Sequence, residues 1–480
     1  MPLTFFGGIT PENKKYSRIS PLRFITPPET IYIPVDGEIT PMVTTKDIVS
    51  VGQTVAYSGE TPVYSSVSGV VKGIAREGEK RYLAIGNDRK NTPYESLRGV
   101  QKPLGELSLS EISALLKQYA IFDGSDGIPL YDKLAAVQNG VELKRIIINC
   151  CEHDSYSTAL YRLLCERPKE LIGGAKILMH ALSIKKCIIV IENIKRNVIK
   201  KLEKHINDSD MFVSAYIAQK YPINDKTIIS AIYGSEIPHG KDAGSLGYVF
   251  FGAEAVIQVF NSFVSGIPQV TKTITVSGES IANPSNLIVP LGTPIKHLIE
   301  DCGGLSHRCK CVVNGGVMNG EYMETPGGVV TAGTNQLLFL RWIDKYGGNC
   351  ILCGRCITVC PMHLSPLDYA TTYEKRDKPN ADNTYYGISA CIECGCCEFI
   401  CPTGVPLLEI IRNGKKSERT VRKRKRRGNK IVLGSLKKRT KDIVNTKIPS
   451  AFTNNKKENI NKNDKDDNIN PLDEDMFVQF

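Results

Sequence analysis

Two near-identical cysteine runs constrain this chain more than any other feature. The first is Cys350-x-x-Cys353-x-x-Cys356-x-x-x-Cys360-Pro361, the second Cys391-x-x-Cys394-x-x-Cys397-x-x-x-Cys401-Pro402. Two-residue gaps let one turn aim three thiolates at three irons of a cubane, while the fourth cysteine, displaced by the next helical turn, faces a neighbouring cluster. The spacing therefore predicts two [4Fe–4S] clusters with crossed ligands. Cys350, Cys353, Cys356 and Cys401 hold one; Cys391, Cys394, Cys397 and Cys360 hold the other. Structural zinc is the competing reading of paired C-x-x-C motifs, and two complete runs, each closed by Cys-Pro, argue against it. Cys396 is surplus to the pattern and reads as a free thiol beside a cluster. The stretch supplies no base, nucleophile or open metal position, so it is expected to relay single electrons.

The remaining composition suits a reducing compartment. Of 16 cysteines, nine fall between Cys350 and Cys401, a crowding that fits metal better than the disulfides of exported proteins. The first residues lack a charged stretch followed by an apolar one, and no run approaches the ~18 apolar residues of a membrane span, so an intracellular chain is expected. A length of 480 residues calls for several domains. The net charge of +11 is concentrated in Arg422-Lys423-Arg424-Lys425-Arg426-Arg427 and its neighbours, so it describes a tail and not the body.

Along the chain, residues 31–74 alternate Val and Ile around Gly turns, which suits a small antiparallel barrel. Its turns resemble those of the biotinyl/lipoyl barrel, but the hairpin tip Gly59-Glu60-Thr61-Pro62 carries no lysine for a prosthetic group. Between about 110 and 260 the apolar runs Arg145-Ile146-Ile147-Ile148-Asn149 and Lys186-Cys187-Ile188-Ile189-Val190-Ile191 flank a helical pattern over residues 158–182. That is the logic of a parallel sheet covered by helices. Short strands return over 268–325 with a helix at 295–302, a pattern resembling the soluble-ligand-binding β-grasp module. The expectation is an α/β multidomain chain. It has an N-terminal segment and lipoyl-like β-barrel (1–108), a Rossmann-like α/β domain (109–265) and a β-grasp module (266–330). A two-cluster ferredoxin-like α domain (340–412) and a basic then acidic disordered tail (413–480) follow.

The opening Thr4-Phe5-Phe6-Gly7-Gly8-Ile9-Thr10-Pro11 and this order of parts resemble the RnfC component of the Rnf electron transport complex, over residues 3–412. That family is itself similar to the NADH- and flavin-binding subunit of respiratory complex I. The resemblance implies a peripheral subunit on the cytoplasmic face of the cell membrane. It implies other subunits of a membrane redox complex and a ferredoxin-like electron carrier as partners, and FMN and NADH beside the clusters.

Carried over residue by residue, the nucleotide site is altered. The family's G-x-G-G-A-G-F-P-T-x-x-K loop aligns with Phe122-Asp123-Gly124-Ser125-Asp126-Gly127-Ile128-Pro129-Leu130-Tyr131-Asp132-Lys133. Backbone N–H groups of such a loop approach phosphate, and Asp126 is expected to set a carboxylate against it. N-x-x-E-C-E-P-Y appears as Asn149-Cys150-Cys151-Glu152-His153-Asp154-Ser155-Tyr156, and N-V-x-T-A falls at Phe250-Phe251-Gly252-Ala253-Glu254 without its polar contacts. A Y-P-x-G segment becomes Tyr221-Pro222-Ile223-Asn224, while Gly315-Gly316-Val317-Met318-Asn319-Gly320 is similar to G-G-P-M-M-G. The resemblance makes Gly124, Gly127, Lys133, Asn149 and Glu152 the candidate cofactor-binding residues, although Asn149 and Glu152 can equally cap a helix at a strand end. Two readings stay open: a flavin site with altered contacts, or a flavin-free electron wire and scaffold.

Cys150, Cys151, Cys165 and Cys187 read as buried thiols, and the spacing of Cys302, His307, Cys309 and Cys311 fits no common zinc pattern. The basic run, without a reading module or interleaved aromatics, is not expected to bind nucleic acid. Anionic lipid suits such a cluster through Arg422 to Arg427, and a solvated tail is the alternative.

Overall fold

The computed structural model describes residues 1–417 except 38, 138–140, 153, 207–210, 239, 324, 342–346 and 375–386. The basic run from Arg422 to Arg427 and the acidic end lie outside the described residues.

Four short apolar runs form a wholly parallel sheet in the order Phe212–Ile217, Cys187–Glu192, Arg145–Asn149, Tyr248–Gly252. Ile146, Ile147, Ile148, Ile189 and Val190 are completely buried. Helices cover both faces, which is why these strands read as continuous rather than alternating apolar runs. The strand order reverses between Arg145–Asn149 and Tyr248–Gly252, the place where open α/β sheets leave a crevice for ligand. The helical pattern of residues 158–182 resolves into two helices, Ala159–Glu166 and Pro168–Ala181. They break at Arg167, with φ −127° and ψ 45°, because proline has no N–H to continue the ladder and steers the preceding residue out of the α region. The second of them packs against Ala253–Ser265, where a Cβ on Gly174 would lie 1.9 Å from the Val256 carbonyl oxygen.

In the N-terminal barrel, Ile48–Val49 pairs with Gly69–Glu77 and Thr54–Ser58 with Thr61–Tyr64, as the alternation predicts. Lys80–Asn87 and Thr30–Pro34 complete the larger sheet, enclosing Ile31, Val49, Val55, Val71, Leu83 and Ile85. The hairpin tip presents Glu60, paired with Lys117.

The β-grasp unit is a six-stranded mixed sheet ordered Leu22–Phe24, Ser285–Pro290, Thr271–Ser277, Gln336–Leu340, Cys311–Asn314, Glu321–Met323. Helix Ile295–Asp301 buries Ile295, Leu298 and Ile299 against Ile274, Leu287 and Phe339. Two of its strands come from outside residues 266–330: Leu22–Phe24 at one edge, and Gln336–Leu340 in the interior.

The cysteine unit consists of short helices, Arg355–Thr358, Pro366–Glu374 and Cys396–Phe399, with residues 407–417 forming a last helix. That helix runs through the position, 413, at which the tail is expected to begin. Its final turn is held because Lys415 Nζ donates to the Cys391 carbonyl and to Glu393 Oε1, each at 2.6 Å. The first residues strap the units together. Leu3 bridges Ile217 at the edge of the parallel sheet, Ile9 bridges Tyr221, and the Gly8 N–H donates to the Val359 carbonyl. Gly7, with φ +64°, leaves no room for a side chain, since a Cβ there would lie 2.7 Å from the Cys360 carbonyl oxygen.

Candidate functional site

Each cysteine run folds by the same local device. Leu352 (φ +58°) and Gly354 (φ +73°) in the first are matched by Glu393 (φ +54°) and Gly395 (φ +79°) in the second. Left-handed residues on both sides of the middle cysteine curl the chain around one point. The third cysteine then begins a single helical turn that carries the fourth away. Four of the eight cysteines then line each of two internal spaces. Cys350, Cys353 and Cys356 surround one internal space with Cys401, while Cys391, Cys394 and Cys397 surround another with Cys360.

Among the described residues no three His, Cys, Asp or Glu side chains close in on a position for one metal ion. The donors of both quartets are thiols, the soft ligands that iron–sulfur clusters take. Burial raises the Cys356 and Cys391 thiols to about 11, and bound metal favours the thiolate form. Backbone N–H groups already point at the sulfurs: Leu364 to Cys360, Glu393 to Cys391 and Val405 to Cys401, each at 3.4 Å. Such contacts tune cluster potential. The residues fit two cubanes.

The quartets differ in exposure. Cys353 is exposed beside Ile351 and Leu352, which are 61% and 65% accessible. Cys394, Cys397 and Cys360 are buried under residues from the α/β and β-grasp units. Tyr221 donates its hydroxyl to the Cys394 carbonyl at 2.6 Å. The Met318 carbonyl sits where a Cβ on Gly395 would be, 2.1 Å away. Cys396, surplus in the sequence, is completely buried and donates its thiol to the Tyr221 carbonyl at 3.8 Å. Tyr221→Phe, which deletes the hydroxyl bridge, is expected to lower stability by about 1 kcal/mol, measured by urea unfolding of the cluster-loaded protein.

Tyr221 also lines a cleft of about 430 Å³ at the strand-order reversal. Its volume lies within the ordinary range of small-molecule sites. Of the residues carried over by resemblance, Gly124, Asn149 and Glu152 line it. Gly127 (φ +74°) turns the loop, and Lys133 lies behind the loop. Glu152 serves the fold. Its Oε1 accepts from Leu160 N at 2.9 Å and Ser157 Oγ at 3.1 Å, holding the start of helix Ala159–Glu166. Lys195, buried, pairs with Glu192 at 3.0 Å and Glu152 at 3.8 Å. Asn149 Oδ1 accepts from Cys151 N.

The carboxylate that meets the glycine loop is not Asp126, as the alignment suggested, but Asp123. Asp126 is drawn onto Lys133 at 2.6 Å, whereas Asp123 lines the cleft and is completely buried. The sequence reading also missed Lys272. It is in phase with Ile274 and Val276 on the inward face of its strand, a period-2 signal that was available. Its ammonium pairs with Glu254 and lies 2.5 Å from where a Cβ on Gly124 would stand. Asp123, Glu152, Asp154, Glu254 and Glu321 all line the cleft, and no Lys or Arg is among the described lining residues. The cleft has the volume of a small-molecule site. Its glycine-loop end does not fit a phosphate.

Four family models match in succession. They are the RnfC barrel sandwich hybrid domain over residues 3–82, the Nuo51 FMN-binding domain over 122–261, the SLBB domain over 273–327 and a 4Fe-4S dicluster domain over 349–405. The fold and site thus define a multidomain α/β iron–sulfur protein whose Rossmann-like domain is of the FMN-binding type. The chain is 32% identical over 404 residues to the C component of the Na(+)-translocating ferredoxin:NAD(+) oxidoreductase complex of Acetobacterium woodii, covering 79% of this chain and 90% of that protein. The C component of the proton-translocating ferredoxin:NAD(+) oxidoreductase complex of Clostridium ljungdahlii is 29% identical over 381 residues, covering 76% and 83%. The C component of the ion-translocating oxidoreductase complex of Rhodobacter capsulatus is 28% identical over 448 residues, covering 87% and 84%. The chain belongs to the RnfC family, the C components of ion-translocating oxidoreductase complexes, as the sequence resemblance implied.

Proposed function

We propose that this chain is the iron–sulfur electron-transfer subunit of an Rnf-type ferredoxin:NAD(+) oxidoreductase complex. The observation that carries the reading is the convergence of two crossed cysteine quartets on two separate spaces. Cys350, Cys353, Cys356 and Cys401 hold one cluster, Cys391, Cys394, Cys397 and Cys360 the other, and the bound clusters supply one-electron transfer. Tyr221, Met318 and Cys396 pack the second quartet against the cleft. Cys353, with Ile351 and Leu352, turns the first toward solvent, where a ferredoxin-like carrier or another subunit of the complex can approach.

No helix among the described residues is long and apolar enough to cross a membrane. The same proposal places the chain peripherally on the cytoplasmic face, with the basic run Arg422 to Arg427 against anionic lipid. Iron analysis of the anaerobically reconstituted full chain tests the proposal: about eight irons per chain are expected for two cubanes. About four irons, or stoichiometric zinc, would overturn it. A flavin-free wire is the second reading, and the buried Asp123 carboxylate at the glycine loop counts against FMN.

A further inference from the structure

The Asp123 carboxylate is held as an anion ligand would be held. Its Oδ1 accepts from Ser125 N at 3.0 Å and Ser125 Oγ at 2.7 Å, and its Oδ2 accepts from Lys133 Nζ and Gly252 N, each at 2.7 Å. Gly252 is the N-cap of helix Ala253–Ser265, so the acceptor sits at the positive end of that helix. Two donors come from the glycine-rich loop, one is the loop's retained lysine, and one begins the neighbouring helix. Together these are the groups that proteins assemble around phosphate. The space is taken as well, for a Cβ on Gly252 would lie 2.4 Å from Asp123 Oδ1.

The charge is likewise answered from within. Lys133 is 9% exposed and pairs with Asp123 at 2.7 Å and Asp126 at 2.6 Å. Lys272, a second cation facing the loop, is 1% exposed and pairs with Glu254. Burial pushes the Asp123 carboxyl up, but Lys133 and the converging donors outweigh it and hold the group below the usual carboxylate range. A ligand phosphate entering here would have to displace a buried, ionised and fully hydrogen-bonded carboxylate of like charge.

We propose that Asp123 is a built-in replacement for a ligand phosphate, filling the anion position of the cleft so that it admits an uncharged, flavin-sized ring rather than FMN. The inference rests on the family reading of the cleft and is independent of the cluster ligands. One residue of the loop has converted a nucleotide site into a site for phosphate-free rings. It reconciles the match to an FMN-binding domain with an acidic lining, because the crevice and strand order persist while the phosphate end is closed.

Equilibrium ultrafiltration of the cluster-loaded full chain with FMN and with riboflavin tests this, with inorganic phosphate as competitor. Wild type should bind FMN no more tightly than riboflavin, and phosphate should not compete. Asp123→Gly frees the Ser125 and Gly252 donors, leaves Lys133 paired with Asp126 alone, and should prefer FMN over riboflavin by about tenfold or more, with phosphate competing. Asp123→Asn keeps the shape, removes the charge and should show a smaller shift in the same direction. A tenfold FMN preference in wild type overturns the inference. So does an Asp123→Gly protein, with its full iron content and native circular dichroism, that binds FMN no better than wild type does. Iron content is read on the same samples, so loss of the clusters counts against the ligand assignment and not against Asp123.

Discussion

Cys353→Ala combined with Cys401→Ala should leave about four irons per chain, because the two cysteines, 48 positions apart in sequence, face the same internal space. Cys394→Ala combined with Cys401→Ala should leave almost none, although both belong to one run, since Cys394 faces the other space. Uncrossed ligation gives the opposite pair of results. Iron and sulfide analysis, with electron paramagnetic resonance of the reduced protein, separates the two patterns. Cys396→Ala should retain about eight irons, because its thiol is spent on the Tyr221 carbonyl.

Lys195→Met should destabilise the fold by about 3–5 kcal/mol, the usual cost of leaving a buried charge without its partner. Here two carboxylates are stranded, Glu192 at 3.0 Å and Glu152 at 3.8 Å, each almost fully buried. Glu152 holds the start of helix Ala159–Glu166 at the cleft wall, so the damage should reach the cleft. The pH dependence follows from the directions of the shifts. Burial pushes Glu192 up, but Lys195 and the Glu152 N–H outweigh it and hold the carboxyl below its usual range. Its stabilising contribution is therefore present above the ordinary glutamate value of about 4.3 and is lost as pH falls through the lower folded value. Burial pulls Lys195 down, but Glu192 and Glu152 outweigh it and raise the amine, so its contribution is lost only as pH rises past the ordinary lysine range. Urea unfolding should show the largest gap between wild type and Lys195→Met near neutral pH, narrowing toward pH ~4 as the Glu192 carboxyl protonates. A gap that is constant across that range would mean that the triad contributes packing alone.

The features legible in the sequence are those that a few consecutive residues decide. Two-residue gaps, with Gly354 and Gly395 free to take the left-handed region, wrap each run around a point, so the local curl of each run follows from backbone sterics and one helical turn. Runs such as Ile146-Ile147-Ile148 announce a strand buried on both faces, and the parallel sheet follows. The break at Pro168 and the inward phase of Lys272 were local signals too, and were available to be read. Other features depend on groups brought together from far along the chain, and no spacing rule reaches them. Leu22–Phe24 pairs with Ser285–Pro290, and Gln336–Leu340 enters the interior of the same sheet, only because those edges are free once the other strands have formed. Tyr221 meets Cys394 because the strap at Gly7 and Gly8 and the Met318 turn press the cysteine unit onto the α/β domain. At the glycine loop, the motif placed two aspartates three residues apart, and nothing local distinguished them. The choice between them was made by the Gly252 N–H, 129 positions away from Asp123, since a buried carboxylate settles wherever the fold gathers enough donors to replace its water.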